Sequence, residues 1–295
     1  MNDSQGRART GHIALSGAPN VGKSSLLNRL VGTHLAIVSP KPQATRLPTI
    51  GLRTEGDIQY IWHDLPGLLD PSYLMQERMR ELALAALPRM DVILHLHPAA
   101  DAPAPPFREL VGPDAKFRAP VLVVYTKVDL VHADRRRDLA REALAISTES
   151  GDGIEHLLAR VGSLLPEAPF EFDPEDVGTQ PVRFFVVEYL REAAFELLGD
   201  ELPYSFTAEV EEFREDEEPV YIRASLFAER ESQKGMIIGR SGSMIKQIGS
   251  HARGRLEALL GQKVYLECRV KVAPRWRKNE AQLQRFGFPP TERKK

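Results

Sequence analysis

The sequence predicts an α/β domain built on a parallel sheet, followed by a smaller α+β module. Three observations carry this. Between residues 11 and 165, short apolar runs alternate with turns and amphipathic helical stretches, the pattern of a parallel sheet with crossover helices. A stretch rich in proline and acid, PEAPFEFDPEDVGTQP at 166–181, then interrupts it. The charge also divides unevenly: residues 221–295 hold 17 Lys and Arg against 6 Asp and Glu, a balance of +11 that leaves −13 for residues 1–220. At about 100–200 residues per domain, 295 residues allow two.

In the first domain, apolar runs place strands at 12–16, 57–63, 91–96 and 120–125. Helical periodicity falls at 23–31 and 72–87, with shorter helices at 135–145 and 154–165. The stretch 98–120 contains six prolines and admits at most one short helix, at 107–111. The second domain opens with a helix at 182–198, where Phe184, Val187, Leu190, Ala194 and Leu197 recur at helical spacing. Strands at 204–214 and 220–228 flank the acidic turn EDEEP. A helix at 232–238, a glycine-containing turn, a long helix at 243–260 and a strand at 263–272 follow. In that last strand Val264, Leu266, Cys268, Val270 and Val272 alternate with mostly charged residues, so Cys268 reads as a small core residue. The boundaries are a disordered arm at 1–10, domains at 11–165 and 182–273, a linker at 166–181 and a basic tail at 274–295.

Composition narrows the function classes. An apolar fraction of 42% excludes a disordered chain. No apolar run approaches the roughly 20 residues needed to cross a bilayer. The polar N-terminus lacks the apolar core of a secretion signal, which points to the cytoplasm. The single cysteine, Cys268, makes no internal disulfide and fits a reducing compartment. His95 and His97 share one face of a strand with no further ligands nearby in sequence, so they read as packing or surface residues. The +11 region attracts a polyanion, either nucleic acid or an anionic membrane surface.

After the first strand stands Gly17-Ala18-Pro19-Asn20-Val21-Gly22-Lys23-Ser24, followed by Ser25, a match to G-x-x-x-x-G-K-[ST] at a strand-to-helix junction. The glycines allow close backbone approach, so successive N–H groups surround a phosphate at the helix start. Lys23 reaches the β and γ phosphates, and the Ser24 hydroxyl binds Mg²⁺. A second strand ends in Asp64-Leu65-Pro66-Gly67, where the carboxylate faces Mg²⁺ and the glycine N–H meets the γ-phosphate. A third ends in Thr126-Lys127-Val128-Asp129, whose Asp129 accepts hydrogen bonds from guanine N1–H and the exocyclic amine. Leu68 follows Gly67 and cannot orient or deprotonate water.

In the basic region, Ile238-Gly239-Arg240-Ser241-Gly242 sits between two helical stretches as a G-x-x-G turn. The surrounding order of helix, two strands, two helices and strand is that of a KH domain, in which the glycines let the backbone approach a sugar-phosphate chain. Lys234, Ile238, Gly239, Arg240, Ser241, Gly242 and Lys246 are the candidate RNA contacts, with Arg253, Arg255, Arg269 and Lys271 flanking them.

The succession GAPNVGKS, PQATR, DLPG, TKVD and STESG, followed by this module, resembles the Era-type GTPases over nearly the whole chain. The resemblance implies an α/β P-loop GTPase domain followed by an α+β type II KH domain. It makes Thr45 the switch threonine that meets Mg²⁺ and the γ-phosphate, so that Lys23, Thr45, Asp64 and Gly67 are the catalytic set. It places Ser147 and Thr148 beside the base, and makes Asn20 the ligand of a potassium ion near the phosphates. It further implies slow GTP hydrolysis, binding of 16S rRNA near its 3′ end in small ribosomal subunit assembly, a monomeric state and peripheral contact with the inner membrane. Thr126 and Thr148 stand where the family carries Asn and Ala, Ala44 replaces a usual Thr, and the segment between Asp129 and Ser147 is short, so weaker guanine binding is expected. These departures leave two other readings: an RNA-binding adaptor that holds nucleotide with little turnover, and an ATPase.

Overall fold

The computed structural model describes residues 8–199 and 201–290. Of the expected arm at 1–10, residues 1–7 lie outside the described residues, and Arg9 and Thr10 open the first strand. The chain divides into two units: one of Met1–Ala36, Thr45–Asp70 and Met79–Thr179, the other of Ile37–Ala44, Pro71–Arg78 and Gln180–Lys295.

The sheet of the first unit is made of β1 (Arg9–Ser16), β2 (Thr49–Glu55), β3 (Ile58–Asp64), β4 (Val92–Pro98), β5 (Val121–Thr126) and β6 (Leu144–Ala145), in the order β2-β3-β1-β4-β5-β6. Only β2 runs antiparallel to its neighbour. The helices of this half are α1 (Lys23–Val31), the part of α2 (Leu74–Ala86) from Met79 onward, α3 (Phe107–Val111), α4 (Ala133–Glu142) and α5 (Ile154–Gly162). One core cluster joins Ile13, Leu15, Trp62 and Leu94 to Leu26, Leu27, Leu157 and Val161. Another joins Ala14 and Ile93 to Leu65, Leu68, Leu87 and Phe107. Apolar burial on both sheet faces is what near-continuous strand hydrophobicity requires.

Three elements depart from the sequence reading. Strand β2 is absent from it because Pro48 and Gly51 break the apolar run. The glycine is needed by packing, since a Cβ at Gly51 would lie 2.6 Å from Val31 Cγ2 and 2.7 Å from Leu27 Cδ1. The helix expected at 135–145 stops at Glu142, because Leu144 and Ala145 pair with Val124 and Tyr125 instead. The stretch read as a linker is held to the first unit. Gln59, fully buried, donates to Phe172 O at 2.9 Å and accepts from the N–H groups of Glu171 and Phe172, while Leu52 N–H donates to Val177 O.

Two imidazoles give this unit an acid sensitivity. His95 is buried against Phe107, and burial, with His97 beside it, lowers its pKa to about 4. His63, 2.9 Å from His12, is lowered to about 4 by burial and by His12. Both folded pKa values lie below the ordinary 6.5, so the unfolded chain binds more protons and stability falls as pH drops from about 6.5 towards 4. The loss is about 2–3 kcal/mol for each imidazole. In chemical denaturation from pH 7 to 4, His95→Leu is expected to flatten the profile; an unchanged slope would show that His95 does not contribute to it.

The second unit contains α6 (Val182–Leu197), α7 (Leu202–Ser205), β7 (Thr207–Arg214), β8 (Val220–Ala228), α8 (Glu231–Ile238), α9 (Ser243–Leu260), β9 (Val264–Val272) and α10 (Glu280–Arg285). The sheet order is β7-β8-β9, antiparallel then parallel. The strand expected to start at 204 starts at Thr207, because Leu202–Ser205 with Pro203 form a helical turn. The buried residues of α6 include Phe185, Val186, Tyr189, Leu190, Ala193 and Ala194, so Phe184 and Val187 of the expected stripe are only half-buried. Glu188 and Arg191 form a buried pair at 2.6 Å, and Arg191 also donates to Ala44 O. Lys41 Nζ donates to the carbonyls of Phe195 and Leu198, capping the C-terminal end of α6. The basic tail is packed as far as it is described: Trp276 is fully buried, donates its indole N–H to Ser205 O at 2.8 Å and meets Phe286, and Phe288 is buried too. Residues 291–295 lie outside the described residues. Among the described residues no helix is long and apolar enough to cross a membrane.

Candidate functional site

The loop from β1 to α1 is shaped by its backbone. At Gly17, φ is 151° and a Cβ would stand 2.5 Å from Leu96 O, so no side chain fits. Asn20 and Gly22 adopt left-handed conformations at φ 62° and 98°, and Gly22 caps α1. Such turns leading into a helix start converge N–H groups on an anion. Lys23, the first residue of α1, is buried; its ammonium donates to Ala18 O at 2.8 Å and Gly17 O at 3.3 Å. Burial lowers its pKa to about 8, against an opposing pull from Asp64. A desolvated cation beside a concave run of N–H groups is suited to a polyphosphate.

Beside the loop, three oxygens from distant parts of the chain meet. Ser24 Oγ donates to Asp64 Oδ2 at 2.6 Å and lies 2.9 Å from Thr45 Oγ1, which donates to Asp64 Oδ2 at 3.3 Å. Two hydroxyls and a carboxylate form the hard-oxygen donor set that Mg²⁺ takes, so the residues present fit that ion. A Cβ at Gly67 would stand 2.9 Å from Pro19 N and Cα, which fixes this glycine against the phosphate loop. Leu65 and Leu68 are core residues, and Pro66 is buried between them. Their part is to hold Gly67 in place: Leu65 N–H donates to Leu15 O and Leu68 N–H to Gly17 O.

The loops on the other side are tied to the phosphate loop. The Thr126 hydroxyl, buried, donates to Val21 O at 2.7 Å, and Lys127 Nζ donates to Asn20 O at 2.9 Å. Val21 itself is buried in the core, so it offers its carbonyl. The bonds Ile146 N–H to Tyr125 O and Val128 N–H to Ile146 O bring the 147–151 turn beside the half-buried Asp129. Ser147 is buried, and its Oγ accepts from the N–H groups of Glu149 and Ser150, leaving Thr148 half-exposed at the turn. The shortness between Asp129 and Ser147 is met by α4 running only from Ala133 to Glu142 and by a two-residue β6. Sequence reasoning saw a missing amide at Thr126 and missed its hydroxyl tie to Val21, for which the motif carries no signal.

In the second unit, the G-x-x-G turn joins α8 to α9 with left-handed φ at Gly239 (73°), Ser241 (50°) and Gly242 (77°). Arg240 and Ser241 are exposed, and Ile238 is half-buried. A groove of about 270 Å³ lies between α9 and β9, lined by Ile245, Lys246, Gly249, Arg253, Leu266 and Cys268. Cys268 is thus a half-buried groove residue, not a core one, because the face of β9 that carries it meets α9 only in part. Burial, and secondarily Glu267, push its thiol up to about 12. Of the expected flanking cations, Arg253 lines this groove, while Arg255, Arg269 and Lys271 pair with Glu192, Glu267 and Glu211. Lys234 lies 3.6 Å from Glu231.

Residues 12–127 match the family model described as a 50S ribosome-binding GTPase, and residues 201–277 match that of the KH domain. The chain is 38% identical to GTPase Era of Carboxydothermus hydrogenoformans over 96% of this chain and 99% of that one. It is 39% identical to GTPase Era of Geobacter metallireducens over 95% and 98%. Among solved structures, Aquifex aeolicus Era bound to GDP and AlF4− superposes with a TM-score of 0.87 at 32% identity, covering 95% of this chain and 99% of that one. Era in complex with MgGDPNP and nucleotides 1506–1542 of 16S ribosomal RNA superposes with a TM-score of 0.89, also at 32% identity and with the same coverage.

Fold and site define a P-loop GTPase joined to a KH domain. More particularly, the chain belongs to the Era family of GTPases, which separates it from the adaptor and ATPase readings.

Proposed function

We propose that this chain binds guanine nucleotide with Mg²⁺ at Ser24, Thr45 and Asp64, hydrolyses GTP slowly on its own, and binds the 3′ region of 16S rRNA during small-subunit assembly. The observation that carries the nucleotide half is the meeting of Ser24, Thr45 and Asp64 within 3.3 Å beside the buried Lys23. Bound Mg²⁺ supplies charge stabilisation at the β and γ phosphates. Lys23 adds its ammonium, Gly67 offers its N–H to the γ-phosphate, and Asp129 accepts from the guanine edge. Leu68 is buried in the core and orients no water, so turnover rests on positioning and charge. Asn20, exposed at the loop apex, is the potassium ligand in this reading; its substitution by Ala should abolish potassium-stimulated hydrolysis. The RNA half is supported by the exposed G-x-x-G turn beside an apolar groove, and by the relative captured with 16S rRNA nucleotides 1506–1542. A domain boundary near residue 180, a monomeric state, a cytoplasmic setting and peripheral membrane contact belong to the same proposal, checked by limited proteolysis, light scattering, cell fractionation and vesicle flotation.

The test is competition of GDP against ADP at fixed Mg²⁺. A guanine preference of about 100-fold, or about 2.7 kcal/mol, is expected. Asp129→Asn should exchange guanine for xanthine preference, since the amide presents a donor where the carboxylate accepts. Equal weak binding of GDP and ADP would overturn the assignment of Asp129.

A further inference from the structure

We propose that a cationic cleft at the N-terminal end of α8 is a second phosphate-backbone site for RNA, separate from the G-x-x-G turn at the other end of that helix. The proposal rests on the RNA-binding reading above. The cleft holds about 540 Å³ and is lined by Glu229, Arg230, Pro274, Arg275, Arg277 and Lys278. Among the described residues its one carboxylate, Glu229, is committed to Arg277 at 2.6 Å. Arg230, Arg275 and Lys278 are exposed, and among the described residues no carboxylate stands within 4.0 Å of them. Three cations thus face one cleft without a counter-charge, an arrangement that gains from a polyanion and loses from any neutral occupant.

The cations stand on fixed backbone. Ala273 N–H donates to Ala228 O at 2.8 Å, joining the ends of β8 and β9 beneath the cleft. Trp276, buried and hydrogen-bonded to Ser205 O, anchors the turn from Arg275 to Lys278. Arg275 is held at φ 53°, a left-handed conformation that non-glycine residues seldom adopt. Arg277 lies over the Tyr73 ring at 5.3 Å and against Glu229, so its guanidinium is oriented. Backbone held in this way needs no ordering of its own on binding.

The lining residues identify the ligand class. Among the described residues no aromatic face lines the cleft for a base to stack on, so the contact is to phosphate and reads no sequence. The eight residues of α8 separate cleft and G-x-x-G turn by about 12 Å. One strand seated in the groove therefore has a second anchor on the same module a short way along its backbone. Two neutralised phosphates on a single strand add about 1.4 to the slope of log affinity against log salt.

The experiment uses the full chain, fluorescein-labelled RNA of 16S nucleotides 1506–1542, a scrambled RNA of equal length, and anisotropy titrations across a salt series. Arg275→Ala with Lys278→Ala is expected to lower affinity about 10- to 30-fold at 0.1 M salt and to cut the slope by about 1.4. The preference over scrambled RNA should stay as it was, and Arg275→Lys with Lys278→Arg should restore the slope. Unchanged affinity and slope in the double alanine variant, while Arg240→Ala weakens the same RNA, would overturn the proposal and leave the RNA reading standing. Failure of the unaltered chain to bind this RNA more tightly than the scrambled one would remove the RNA reading and the proposal with it. Loss of binding to phosphatidylglycerol vesicles with RNA affinity intact would overturn it in favour of a lipid surface.

Discussion

Lys23→Ala is expected to lower affinity for GDP and GTP by about 100- to 1000-fold and to abolish the pH dependence of binding above pH 8. Among the described residues the buried ammonium has only the carbonyls of Gly17 and Ala18 as hydrogen-bond acceptors, and burial holds its pKa at about 8 in the free protein. A phosphate placed beside it favours the charged form and raises that value. Below pH 8 the proton is already present and binding is pH-independent; above it each molecule must take up a proton to bind. Affinity then falls by up to tenfold per pH unit. The loss on substitution combines a charge-assisted hydrogen bond, about 1.5–3 kcal/mol, with the cost of leaving phosphate charge unpaired in a buried site. Titration of a fluorescent GDP analogue from pH 6.5 to 9.5 checks both parts. A slope that survives in the alanine variant would assign the proton to another group.

Gly67→Ala is expected to cut GTP hydrolysis about 100-fold while leaving GDP affinity within a few-fold. A Cβ there would stand 2.9 Å from Pro19 N, Cα and Cγ, and two of these atoms are backbone that no rotamer change relieves. Either the phosphate loop or the segment after Asp64 must move by several tenths of an ångström, and misplacement approaching 1 Å costs about 100-fold in rate. Gly67 lies outside the left-handed region, so alanine adds no backbone strain and the fold should survive. Single-turnover hydrolysis with GDP binding and thermal melting measured alongside separates the effects. Equal losses in GDP binding and hydrolysis would show a collapsed loop instead of a misplaced γ-phosphate contact.

The phosphate loop was legible because its chemistry is local. Gly17 through Ser24 are contiguous, and the conformations that only glycine tolerates lie within the motif. The G-x-x-G turn was legible for the same reason, with Gly239 and Gly242 both at positive φ. Strand β2 was hidden because Gly51, which weakens a strand on paper, is required by the side chains of Leu27 and Val31. The stretch at 166–181 looked like a linker by composition, yet Gln59, more than a hundred residues earlier in the chain, binds its backbone. Thr126 read as a loss of guanine-binding capacity, while its hydroxyl ties β5 to the phosphate loop through Val21 O.

By itself the sequence determined which chemistry each module carries, because a contiguous motif sets its own backbone and the net charge of a region needs no coordinates. Tertiary structure alone decided which charges are spent. Arg255, Arg269 and Lys271 are neutralised by Glu192, Glu267 and Glu211, whereas Arg275 and Lys278 face an open cleft. Ion pairing falls off with distance through space, and distance through space is what the order of residues along a chain does not contain.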